Sequence, residues 1–234
     1  MPVGTPTLIG TGFTFTGSMT ITTTANIVAG DLVVIAINTR NFPTITVSSV
    51  SDGTNTYLFL SSVTEPNGSH EEIWYKNNCL AVSSGATITI TLSAVPFAAN
   101  AIASSTSGIG TTTPIVSLTA SNNSASATTL TCVAGPFDMG EILSFGATEY
   151  GATGAYTESA GFTNLNVNTS GIITTLTLGY AIASTSNAIS FSPSVVSPTS
   201  MCVLQCTFYI SPKFVSKEYA LTEPVRSWTR MVGY

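Results

Sequence analysis

Residues 87–92 read Thr-Ile-Thr-Ile-Thr-Leu. Strict alternation of this kind puts every apolar side chain on one face of an extended strand and every threonine on the other. The pattern recurs in "FTFTG", "MTITTT", "TITVSSV", "EEIWYKN", "TTLTCVA", "EILSFGATE", "NAISFSP" and "CVLQCTFYIS". "DLVVIAINTR" is a longer apolar run, suited to a central strand. Turn clusters such as "AGD", "SDGTN", "EPNGS", "SSGA", "GIGTTTP", "GATGAY" and "SPTS" separate these segments. Short strands with frequent turns predict an all-β chain, a large antiparallel two-sheet β-sandwich of jelly-roll-like form with about twelve to fourteen strands. Neither a long amphipathic helix nor a fixed-period repeat is legible. One core is expected, containing Val33, Ile35, Ile37, Ile73, Tyr75, Ile88, Ile90 and Phe208.

Charge is scarce: 7% of the 234 residues are Asp, Glu, Lys or Arg, against roughly 25% in ordinary soluble domains. Thr, Ser and Asn fill the polar positions instead, and the branched Cβ of Thr suits a pleated surface. No run approaches the ~18 apolar residues of a spanning helix, so no membrane partner is expected. Residues 1–212 hold nine acidic side chains against two basic ones, Arg40 and Lys76. With no basic patch to neutralise phosphates, nucleic acid is not an expected partner. The opening "MPVGTPTLIGTGFTF" has no basic region followed by an apolar run, so no signal peptide is expected and the chain is expected to fold in the cytoplasm of the cell that makes it. In that reducing setting Cys79, Cys132, Cys202 and Cys206 read as buried free thiols. Cys202 and Cys206 share a strand face but stand ~13 Å apart, too far to bond each other.

The last 22 residues differ from the rest. Residues 213–234 carry Lys213, Lys217, Arg226 and Arg230, four of the six basic side chains, beside Glu218 and Glu223. Pro212 ends the preceding strand and Pro224 forbids a continuous helix. Residues 1–212 are therefore read as a β-sandwich domain and 213–234 as an extended C-terminal arm. Trp, Tyr and Arg are enriched at interface hot spots, which makes Phe214, Tyr219, Arg226, Trp228, Arg230 and Tyr234 the expected anchors on a neighbouring subunit. The other reading is that the arm packs back on its own sandwich.

The order "AGDLVVIAI", "VSSVSDGTNTY", "IWYKNNCLAVSSGATITITLS", "AIASSTSGIG", and later "SAGFTNL" and "LQCTFYISP", resembles a β-sandwich domain of phage virion and bacterial surface proteins. The resemblance covers about residues 25–212. It departs from the pattern at "SDGTNTY", where Gly53 precedes Thr54-Asn55 instead of adjoining the Asn. It implies architecture, and hints at a role on a virion or adhesive surface.

Candidate chemistry is sparse. His70 and Glu72 share a strand face and could share a metal, but a site needs three or four ligands; a solvated strand start is the simpler reading. Asp52 and Asn55 could offer oxygens to Ca²⁺, or form an Asx-type turn with Gly53 at positive φ. Glu149 and Glu158 flank "YGATGAYT" and raise the possibility of paired glycosidase carboxylates; an exposed loop on which Tyr150 and Tyr156 stack against sugar rings is the better expectation. No catalytic residue, metal ligand or cofactor is expected. The sequence thus predicts a non-enzymatic structural protein of a phage-like virion, a capsid decoration or cement protein or a minor virion subunit. Its expected partners are copies of itself and other virion proteins. The alternative is a module of a tail or fibre that binds a host glycan or host surface.

Overall fold

The computed structural model describes residues 3–41, 43–109, 118–136, 141–151, 155–170, 174–184 and 187–210. The arm with Phe214, Tyr219, Arg226, Trp228, Arg230 and Tyr234 lies outside the described residues. The chain is all-β and every ladder is antiparallel, with no helix among the described residues. In the first half the strands are β1 (Thr7–Thr14), β2 (Ser18–Thr22), β3 (Leu32–Arg40), β4 (Val47–Ser51), β5 (Leu58–Thr64), β6 (Ser69–Lys76), β7 (Thr87–Leu92) and β8 (Ala98–Thr106). The second half adds β9 (Leu118–Thr129), β10 (Cys132–Ala134), β11 (Glu141–Gly151), β12 (Tyr156–Thr157), β13 (Thr163–Ser170), β14 (Thr174–Ser184), β15 (Ile189–Phe191) and β16 (Ser194–Ile210).

These strands make four sheets rather than the expected two. A five-stranded sheet runs β1-β8-β3-β6-β5, and a three-stranded sheet runs β2-β7-β4. A six-stranded sheet runs β12-β16-β11-β14-β13, with β9 also on β16, and β10-β15 form a small ribbon. The reason lies in strands that are apolar on both faces. Val33, Ile35 and Ile37 of β3 pack with Ile88 and Ile90 of the three-stranded sheet. Leu32, Val34 and Ala36 of the same strand pack with Leu143, Phe145, Leu176, Leu204 and Phe208 of the six-stranded sheet. A strand of this kind must be covered twice, so the five-stranded sheet is a middle layer. The six-stranded sheet is also covered twice, since Met201, Val203 and Tyr150 pack outward against Cys132 and Phe191 of the ribbon. Gly146 of β11 makes room there: a Cβ on it would lie 2.4 Å from the Phe191 ring.

The single expected core is therefore split. Ile73 and Phe208 lie on one side of the middle sheet, with Tyr75 partly buried beside them, and Val33, Ile35, Ile37, Ile88 and Ile90 lie on the other. Within the first eight strands β1 pairs β8, β2 pairs β7 and β3 pairs β6. A bridge between Ser51 and Thr56 joins the end of β4 to the approach of β5. These pairings nest, β3–β6 inside β2–β7 inside β1–β8 in chain order. The Gly-Asp corner is defined: Gly30 has φ 93°, and the Asp31 carboxylate accepts from Val28 N–H at 3.0 Å and from the Ser105 hydroxyl at 2.6 Å, tying β3 to β8.

Candidate functional site

Seven strand rows meet between the five- and six-stranded sheets, and all change character at one end. Along β3 the inward row is Leu32, Val34, Ala36, then Asn38 and Arg40; along β6 it is Tyr75, Ile73, then Glu71 and Ser69. Val63 at the end of β5 is followed two positions later by Glu65. From the facing sheet come Leu143, Phe145, Ala147, then Glu149; Leu178, Leu176, then Thr174; and Phe208, Cys206, Leu204, then Cys202. Because side chains on one face recur every second residue, these polar groups form a layer across the interface. Ile102 of β8 is likewise followed by Asn100, whose amide donates to Asn38 Oδ1 at 3.3 Å and to the Thr174 carbonyl at 3.4 Å.

The layer is buried and acidic. Glu71 and Glu149 are fully buried and Glu65 is 1% exposed. Glu149 Oε1 accepts from the hydroxyls of Thr174 at 2.5 Å and Ser69 at 3.1 Å, while Oε2 meets the Cys202 thiol at 3.6 Å. Both oxygens of Glu71 and both of Glu65 have no hydrogen-bond partner. Burial pushes the Glu149 carboxyl up to about 7 despite those hydroxyls and the nearby Arg40 charge. Burial, and then the Glu149 charge, push Glu71 well above the ordinary carboxylate range. Burial thus raises the proton affinity of both carboxyls.

On the other face of β6 the arrangement is closed. Glu72 Oε1 accepts from Val47 N–H at 2.8 Å and faces His70 Nε2 at 3.1 Å, and its Oε2 accepts from Trp74 Nε1–H at 2.6 Å. His70 Nδ1 in turn meets the Thr64 hydroxyl at 2.7 Å. His70 is thus buried, not the solvated strand start the sequence suggested, because its polar atoms are all engaged. Among the described residues no group of three or more His, Cys, Asp or Glu side chains is arranged to hold a metal ion.

The remaining expectations sort by geometry. Asp52 forms the Asx-type turn: its Oδ1 accepts from Thr54 N–H at 2.8 Å and Asn55 N–H at 2.6 Å, with Gly53 at φ 83°. Its other oxygen accepts from Asn55 Nδ2 and the Tyr57 hydroxyl. Partial burial works against the charge, but these donors outweigh it and hold Asp52 below its usual value. Tyr150 and Tyr156 are not an exposed sugar platform. Tyr150 is 3% exposed on β11, and the two rings stack on each other at 5.7 Å, closing the small core under the ribbon. Glu158 accepts from the Tyr156 hydroxyl at 2.9 Å and sits over Gly179. Gly179 faces away from Leu176 and Leu178, so Glu158 and Glu149 lie on opposite faces of one sheet and cannot flank one glycosidic bond. All four cysteines are buried and unpaired.

Sequence reasoning missed the layer because Glu65, Glu71 and Glu149 come from separate parts of the chain: a turn, β6 and β11. The legible signal was a carboxylate at an inward-facing strand position, two residues beyond an apolar one. Searches of family models, curated proteins and solved structures return no match to this chain, so the fold and the layer stand on its own residues.

Proposed function

We propose that this protein is a non-enzymatic structural subunit of a phage-like virion, a capsid decoration or cement protein or a related minor virion protein, made in the host cytoplasm and working as a homo-oligomer. The observation that carries the reading is the surface. Phe13, Phe15, Phe59 and Phe97 are each 42–62% exposed on a shell with few charges, and the rings of Phe13 and Phe15 pair edge-on at 4.5 Å. Exposed aromatics amid little charge suit close-packed neighbours, which then have few ions to desolvate. The nested pairing of the first eight strands supports a jelly-roll reading, an architecture used by capsid and lectin domains, though fold alone does not assign function.

The arm of residues 213–234 is proposed to reach a neighbouring copy or another virion protein. The tail or fibre alternative loses the tyrosine pair that motivated it. The test is the assembly state of the full chain, of a Phe13→Ser/Phe15→Ser variant, and of a chain lacking 213–234, each checked for folding by circular dichroism. Oligomers or particle incorporation that weaken in either folded variant support the reading. A full chain that stays monomeric, is absent from particles and binds glycans would overturn it.

A further inference from the structure

We infer that the polar layer between the five- and six-stranded sheets is a pH-sensitive latch, closed while Glu71 and Glu149 carry protons and released at that end of the interface when they ionise. The inference does not depend on the assembly reading.

The geometry gives three reasons. Glu71 is fully buried, no N–H or hydroxyl among the described residues reaches either oxygen, and the weakly donating Cys202 thiol beside it also meets Glu149 Oε2, so its charged form has little in the protein to replace water. Glu149 faces it from the opposite sheet, close enough for its charge to act on Glu71, so the two negative charges would repel across the seam. Two hydroxyls occupy Glu149 Oε1 and only a thiol meets Oε2, which leaves Oε2 as the place for a proton.

The groups facing the pair can be named element by element. β3 supplies Arg40, the one cation in the layer among the described residues, whose charge favours ionised Glu149. The turn between β5 and β6 supplies Glu65, a third carboxyl, and β16 supplies the Cys202 thiol. From β8 and β14 come only Asn100 and Thr174, which do not titrate. Three carboxyls therefore face one guanidinium. When Glu71 and Glu149 both ionise, the excess charge is negative and shared between two sheets that touch there. The relief available is for the β5–β6 hairpin, residues 58–76, to lift from β11 and β16, while the apolar rows further along hold the rest together. Burial displaces both carboxyls upward, Glu149 to about 7, so the release falls above the acid range of ordinary carboxyls.

The experiment uses the full chain. Amide hydrogen exchange, corrected for its intrinsic pH dependence, is measured at about pH 5 and about pH 8. Opening should rise on the order of a hundredfold between these values at Glu65–Glu72 and the Glu149 end of β11, and stay level at Ile88 and Ile90 in the opposite core. A Glu71→Gln/Glu149→Gln variant should flatten the dependence. Should that variant not fold, the infrared carbonyl band of a protonated, weakly hydrogen-bonded carboxylic acid decides in the native protein: it should be present at about pH 5 and lost by about pH 9. Exchange that is equal at both pH values, a pH dependence that survives in the double variant, or no acid carbonyl band would overturn the latch.

Discussion

Glu71 and Glu72 are adjacent on one strand and point into opposite interfaces. Glu72 meets Val47 N–H, His70 and Trp74 Nε1–H; Glu71 has only the weak Cys202 thiol beside it. Both are nearly inaccessible to solvent. The difference is that the interface with the three-stranded sheet brings donors to its one inward carboxylate, whereas the interface with the six-stranded sheet brings two more carboxyls. A satisfied buried ion braces the structure. An unsatisfied one is tolerated only as long as it is neutral. One sheet therefore carries a permanent joint on one face and a conditional joint on the other.

The contrast can be broken first where the conditional joint is apolar. Phe208 packs on Tyr75 and Phe145 at ring separations of 5.8 and 6.1 Å. Phe208→Ala should cost about 3–5 kcal/mol of unfolding free energy, the largest effect expected, read by urea denaturation. A cost below about 1 kcal/mol would mean that the two large sheets do not rely on that core.

Next comes pH. With Glu149 at about 7 in the folded chain and an ordinary 4.5 unfolded, the unfolded state loses its proton first as pH rises. Between those values the folded state binds more protons, so stability falls as pH rises. The contribution is complete below 4.5 and gone above about 7. It amounts to about 3 kcal/mol from Glu149 alone, and Glu71 acts in the same direction. Unfolding free energies across this range should fall in the native protein and fall less in Glu149→Gln. A protein that gains stability through the window would contradict the burial of these carboxyls in ionisable form.

Sequence legibility followed the same division. Strands with one buried face, such as β7 and β2, alternate and were readable residue by residue. Strands buried on both faces, β3 and β11 above all, marked a core but not how many layers covered it, so two sheets were expected where four occur. β9 was not legible as a single strand: its middle, Ser121–Ala127, is serine, asparagine and alanine, and it is held by the ladder to β16 instead of by its own pattern. "SPTS" was read as a turn, yet β16 runs through it. The register slips between Ser194 and Thr199, and again before Met201, which lets a residue without an N–H sit in the strand. The Asx turn at Asp52 was legible because its geometry is local. The acidic layer was not, because whether an inward carboxylate meets a donor or another carboxylate depends on the strand across the interface.

The neighbouring glutamates give the next comparison. Glu72→Ala leaves the Val47 and Trp74 N–H groups buried without an acceptor and should cost about 2–3 kcal/mol. Glu71→Met keeps the volume, removes a carboxyl with only a weak thiol partner, and should raise stability by about 1–2 kcal/mol at about pH 8. Equal costs for the two would erase the distinction between the joints.

His70 sharpens the distinction with the smallest effect. It touches Glu72 at 3.1 Å and Thr64 at 2.7 Å, and so links β5 to the inward carboxylate of β6. Removing it takes one partner from Glu72, but Val47 N–H and Trp74 Nε1–H remain on that carboxylate, one on each oxygen. The Thr64 hydroxyl is near the surface end of its strand, where water can replace the ring. His70→Ala should therefore cost about 1 kcal/mol, less than Glu72→Ala, and should leave assembly unchanged. A thermal denaturation series on the two single variants and the double variant measures the coupling. If His70→Ala proved as costly as Glu72→Ala, the carboxylate would be held chiefly through the histidine and not through Val47 and Trp74.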